Sequence, residues 1–195
     1  MRVSGGAAGR PGPSAGQHGV TLIELMTVVA VITLLTAVTA PSLRSFGLRN
    51  QVASSQSAFT ATLAFARSEA ARRGVSVFVV AASGGASGNE YANGWDVYAD
   101  NDADGVFGAA DAPSLRHQDA LPPLVVMRGA ARTTFGADGY LSPAAAKTFM
   151  VCQAGMSKAE GRLVTVPPGG IADVTKIVVA DPADCLAAPT PGAGG

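Results

Sequence analysis

The chain has 195 residues, 48% of them hydrophobic and 14% charged, with 24 glycines and 12 prolines. That length has room for one modest folded domain and one anchor, and the composition is that of a β-rich or loop-rich globular protein rather than a disordered one. A formal net charge of zero gives no global attraction to nucleic acid or an anionic membrane, and two histidines with two cysteines leave few ligands for a metal centre.

The first element is an apolar run. From Val20 to Ala40 there are 21 residues with Glu24 as the single charge. As an α-helix rising ~1.5 Å per residue, the run covers the ~30 Å hydrocarbon core of a bilayer. A secretory signal peptide fits less well, because its apolar core is ~7–15 residues long and Pro41 would directly follow a cut after Ala40. A plain transmembrane helix leaves Glu24 unexplained: a carboxylate inside a bilayer is costly and usually has a partner.

Residues 19–26, Gly-Val-Thr-Leu-Ile-Glu-Leu-Met, resemble the processing site of type IV pilins and pseudopilins. The resemblance implies that prepilin peptidase cuts between Gly19 and Val20 and methylates the new amino terminus. It also implies that Glu24 pairs with the terminal amine of a neighbouring subunit during assembly, and that Pro41 is the family's helix-kinking proline. Both roles make physical sense. Opposite charges attract strongly in a low-dielectric bundle and an unpaired one is penalised, so the pair can set axial register. A proline removes one helical hydrogen bond and bends the helix. The chain departs from the family pattern in three ways: Val20 stands where Phe is usual, the leader is long, and His18 replaces the basic residue before the glycine. Arg2 and Arg10 precede the span and Arg44 and Arg49 follow it, so positive charge alone does not orient it. The resemblance implies a single pass through the inner membrane, with a cytoplasmic amino terminus and a periplasmic carboxyl-terminal domain.

Beyond Pro41 a helical period continues. Val52, Gln56, Phe59, Leu63, Ala66 and Ala70 recur at three- and four-residue steps and form one mostly apolar stripe. Arg72 and Arg73 suit the negative end of the helix dipole, and Gly74 is a natural stop. The stretch RSEAARRGV (67–75) resembles the end of the long helix in the GspH/FimT group of minor pilins and pseudopilins. The likeness continues through GWDVYAD (94–100), TTFGADGYLS (133–142), FMVC (149–152) and GRLVTV (161–166). The implied fold class is α+β and pilin-like, a long N-terminal transmembrane and stalk helix packed on a small antiparallel β-domain. The expected plan is a leader at 1–19, a transmembrane helix at 20–41 and its periplasmic continuation at 42–74. A β-domain at 75–187 and a disordered tail at 188–195 follow.

Seven runs rich in β-branched or aromatic residues predict strands, at 75–80, 95–99, 123–127, 133–135, 148–152, 162–166 and 176–180. They suffice for two small antiparallel sheets on the helix, with turns signalled at 83–89 and 136–139. The implied compartment outside the inner membrane is oxidising, so Cys152 and Cys185 are expected to pair. Two free thiols are the alternative.

The stretch DNDADGVFGAAD (100–111) places Asp100, Asp102, Asp104 and Asp111 at positions one, three, five and twelve of an EF-hand-type loop, with Gly105 at six. Alternating carboxylates of this kind converge on a hard cation, which makes Ca2+ the one candidate cofactor. Asp in place of Glu at the twelfth position shortens the reach, and an acidic turn loop without an ion uses the same residues.

No catalytic site assembles: His117 lies in RHQD without a nucleophile motif, and neither a phosphate loop nor zinc spacing is present, so no enzyme is expected. Some FimT-like minor pilins take part in DNA uptake, which makes a tip subunit contacting DNA or a divalent ion the alternative function. Removing Arg2 and Arg10 from the 14 Lys and Arg leaves 12 basic side chains against 14 acidic. Arg128, Arg132, Lys158, Arg162 and Lys176 are scattered, and DNA binding would require the fold to gather them. The resemblance therefore implies a structural subunit of a type II secretion pseudopilus or a type IV pilus tip complex. Its expected partners are other pilins or pseudopilins, prepilin peptidase and the inner membrane.

Overall fold

The computed structural model describes residues 20–154, 159–179 and 185; the side chains at 37–44, 159–160 and 179 lie outside that description. The chain divides into two units, Met1–Leu43 and Arg44–Gly195. Helix α1 spans Leu22–Arg73. Thr21 caps its start, its hydroxyl accepting the Glu24 N–H at 3.3 Å. At the other end Gly74 takes φ 69° and donates its N–H to the Ala70 carbonyl at 2.9 Å, the left-handed stop that glycine allows without a Cβ penalty.

In the second unit the predicted apolar stripe is the face that folds inward. Val52, Phe59, Leu63, Ala66 and Ala70 are buried, while Gln56 is partly so. Among the described residues eight strands follow: β1 (Val77–Ala81), β2 (Trp95–Ala99), β3 (Arg116–Gln118), β4 (Val125–Arg128), β5 (Arg132–Phe135), β6 (Lys147–Gln153), β7 (Ala159–Val166) and β8 (Asp173–Val179). They form two four-stranded antiparallel sheets, ordered β3-β2-β1-β5 and β4-β6-β7-β8. Alternation decides which side chains enter the core. In β2, Trp95, Val97 and Ala99 point in, while Asp96 and Tyr98 point away.

One core joins the helix to both sheets, with Phe59 at its centre. The Phe59 ring meets Tyr91, Trp95 and Phe149 edge-on at centroid distances of 5.2, 5.2 and 4.8 Å. Edge-to-face contact suits the aromatic quadrupole and adds to area burial. The polar tips of two of these rings are satisfied: the Trp95 indole donates to the Thr62 hydroxyl at 3.1 Å, and the Tyr91 hydroxyl to the Ala130 carbonyl at 2.7 Å. Burial pushes the Tyr91 phenol well above its ordinary pKa.

Strand β3 has no counterpart among the seven predicted runs. Its sequence, Arg-His-Gln, has no apolar residue; it exists because β2 offers an unpaired edge, with Asp96 in register with His117. The run predicted at 123–127 begins only at Val125, since Pro122 and Pro123 cannot donate to a ladder.

Candidate functional site

The amino-terminal unit presents apolar side chains on every side. Val20, Leu22, Ile23, Leu25, Met26, Val28, Val29, Val31, Ile32, Leu34 and Leu35 are all more than half exposed, which rules out a one-sided core helix and calls for an apolar surround. Among the described residues no helix is long and apolar enough to cross a membrane. The expected span to Ala40 runs beyond Thr36, where description of the side chains stops, and the Pro41 side chain lies outside it too. Gly19, on the leader side of the expected cut, is likewise outside the described residues.

Glu24 is the third residue of α1 and is exposed. Thr21 and Glu24 have the spacing of a capping box, and a first-turn carboxylate also complements the positive end of the helix dipole. The position thus has a local helix-start role independent of any neighbour. Val20 directly precedes this cap, so a chain beginning at Val20 would place its amine beside the first turn.

The aspartate-rich loop is built from its own carboxylates. Asp100 is buried and accepts the N–H groups of Asp104 and Gly105 at 3.1 and 2.9 Å. Asp104 accepts the Val106 N–H at 2.7 Å. Asp111, also buried, accepts from the backbone of Asn101 at 3.1 Å and Gly108 at 2.8 Å, closing the loop from the far side. Asp100, Asp102 and Asp104 bring one oxygen each within 4.8 Å of one another, whereas Asp111 is not in that group. Phe107 pins the loop over the outer face of the first sheet, its ring 5.8 Å from Phe78 and 4.9 Å from Tyr98.

Cys152 and Cys185 form a disulfide, Cα to Cα 6.2 Å, inside a small apolar cluster with Val126 and Met150 on the outer face of the second sheet. The bridge ties the chain after β8 to β6. His117 is exposed on β3, with Nδ1 2.8 Å from Asp96 and Nε2 3.4 Å from Asp119. The hydrogen bond and charge of Asp96, with a smaller contribution from Asp119, hold the imidazole above its ordinary pKa. Of the basic residues, Arg162 and Lys176 are direct cross-strand partners on β7 and β8, Arg128 lies on β4 at the opposite edge of that sheet, and Arg132 is on β5 in the other. Lys158 lies outside the described residues.

Two arrangements carry no sequence signal of their own. Asn89 and Glu90, in a glycine-rich loop, clasp the start of the second sheet: Asn89 accepts the Met127 N–H at 2.9 Å, and Glu90 those of Gly88 and Gly129 at 2.8 and 3.2 Å. Burial would raise the Glu90 pKa, but these donors outweigh it and hold the carboxyl below its ordinary value. Arg67 is the second case, packed against turns at Gly139 and Gly170 that sequence spacing does not connect.

Comparison with known proteins agrees with this geometry. The prokaryotic N-terminal methylation motif matches residues 14–40, and the family described as type II transport protein GspH matches residues 56–170. Two crystal structures of the type IV minor pilin FimU of Pseudomonas aeruginosa (strain PAO1) share the fold. One, in space group P21, superposes with a TM-score of 0.54 at 24% identity over 67% of this chain and 92% of that one. The other, in P65, gives 0.50 at 23% identity over 66% and 92%. No curated protein sequence matches the chain. With a family match over more than half its length, on a helix-plus-two-sheet fold, the chain belongs to the GspH family, as a structural subunit of the minor pilin and pseudopilin kind.

Proposed function

We propose that the chain is a prepilin peptidase substrate, cut between Gly19 and Val20, which waits in the inner membrane on its apolar helix and then enters a filament by helix packing. The observation that carries this reading is a helix exposed and apolar all round, bearing one carboxylate beside the expected new amine, joined in the same chain to a GspH domain. Outside a membrane such a surface is strongly unfavourable, and both lipid and neighbouring helices relieve it. Glu24 then pairs with the terminal amine of the next subunit, and Pro41 bends the helix beyond the span. The role is structural, with partners that are pilins or pseudopilins, and no catalytic step is assigned to any residue.

Two substitutions separate this role of Glu24 from its role at the helix start. Glu24→Gln keeps a capping-box residue but removes the charge, whereas Glu24→Ala removes both. Both are expected to abolish incorporation into sheared filaments or the pseudopilus, while the chain stays in the membrane fraction. Full incorporation of the Gln form would leave only the cap. Mass spectrometry of the cellular chain is expected to show an N-methylated Val20, and an intact leader would end the reading. Finding the subunit in sheared surface pili assigns the type IV pilus; a secretion defect on deletion assigns the type II system.

A further inference from the structure

Both ring nitrogens of His117 face a carboxylate, and the two acids belong to different parts of the chain. Asp96, its cross-strand partner on β2, lies 2.8 Å from Nδ1, and Asp119, just past the end of β3, lies 3.4 Å from Nε2. Only the imidazolium carries an N–H at each nitrogen; a neutral ring has one N–H and one lone pair. The two contacts therefore cannot both survive loss of the proton. Asp96 holds the stronger position, because its bond is shorter and its side chain is 19% exposed against 95% for Asp119. Among the described residues no other charged group contacts the ring. Arg132 shares the cross-strand row but stands two strands from Asp96, beyond Val80. Tyr98 flanks Asp96 on the outer face of β2, its phenol pushed above the ordinary pKa by burial and by that carboxylate. Arg116 turns to α1 instead, its guanidinium 5.7 Å from the Phe65 ring centroid.

Asp119 opens the turn that carries Leu121 and Pro122 back toward the core. Leu121 donates its N–H to the Ala92 carbonyl at 2.9 Å. The chain at Gln118 crosses so close to Gly94, at φ +86°, that a Cβ there would collide with the Gln118 carbonyl. Leu121 and Pro122, with Gln51, Ser55 and Ala58 of α1, border a hollow of about 190 Å³ that reaches the fully buried Trp95. We propose that the end of β3 is a proton-operated latch: protonated, His117 ties β2 to the turn at 119–122, whereas neutral, it keeps its Nδ1–H bond to Asp96, presents a lone pair to Asp119 and lets that turn lift from Trp95. A lone pair facing a carboxylate repels it, so the second contact changes sign rather than merely weakening. Strand β3 itself stays in its ladder, because neither the backbone pairing with β2 nor the Asp96 bond needs the second proton. The latch acts within one chain and stands apart from the assembly reading above.

The test follows backbone amide exchange of the full-length chain in detergent micelles by NMR across the titration of His117. Each rate is divided by that of an unstructured amide at the same pH, and the tautomer is read from the ring-nitrogen chemical shifts. Protection of the Leu121 N–H should fall about threefold as the ring loses its proton, the scale of one exposed ion pair. The Leu115 N–H, bonded to the Val97 carbonyl just before β3, should not change. The neutral ring should carry its proton on Nδ1. Asp119→Asn, a change at an exposed position whose amide can donate to the bare Nε2, should keep Leu121 protected on both sides of the titration. A neutral ring protonated at Nε2 overturns the proposal, as does a Leu121 step that is missing from the unaltered chain, persists in Asp119→Asn, or is matched at Leu115.

Discussion

Two side chains make the folded state sense pH in opposite directions. Glu69, on the buried side of α1, accepts from Arg73 Nε at 2.7 Å and from Arg72 Nη2 at 2.6 Å, and these bonds hold its carboxyl below the ordinary value of 4.5. Folding therefore favours the ionised form: its contribution is complete above 4.5 and is lost as pH falls through the lowered folded value. His117 has a raised pKa, so its contribution is complete below 6.5 and is lost as pH rises through the raised value. Urea midpoints of the detergent-solubilised chain, followed by the fluorescence of its one tryptophan, should show both limbs. Glu69→Gln should make the acid limb shallower, the remainder belonging to Glu90, and His117→Asn should flatten the limb above 6.5, each leaving the other in place. At this scale the sequence was only partly legible. The Asp pattern at 100–111 was visible, but each carboxylate's backbone partner depends on loop geometry. The clasp made by Asn89 and Glu90 was invisible because the groups it holds in the second sheet, Met127 and Gly129, lie 38 and 39 residues away.

Among the elements, α1 was the most legible, because an apolar stripe at helical spacing has one physical solution when a sheet is available to cover it. Phe59 shows how much rests on that stripe. Phe59→Ala would remove a fully buried ring that touches three others, and should cost about 3–5 kcal/mol, read as a lower urea midpoint with an unchanged slope. The strands were legible where β-branched residues cluster, as in β1 and β6. β3 was not, since pairing with a neighbour rather than any preference of Arg-His-Gln makes it extended. The packing of Arg67 against the Gly139 turn was also out of reach. GADG at 136–139 announces a turn, but nothing local says that the turn meets the helix 72 residues earlier in the chain.

For the whole molecule, the bridge between Cys152 and Cys185 closes a sequence separation of 33 residues near the carboxyl end. On the chain-entropy account, Cys152→Ser should lower stability by about 3–4 kcal/mol, and adding reductant to the unaltered chain should lower its urea midpoint comparably. The methylation motif and the GspH region were legible as a family resemblance because both are local sequence patterns. How the two sheets share one core was not, because that is a property of packing.

The placement of Phe59 has a consequence for folding. Its ring contacts Trp95 of the first sheet and Phe149 of the second, so neither sheet completes its interior without the other. A half-folded intermediate would strand this aromatic against water, which makes folding of the two-sheet domain cooperative. A protease therefore meets either a finished domain or an open chain, with no graded series between them.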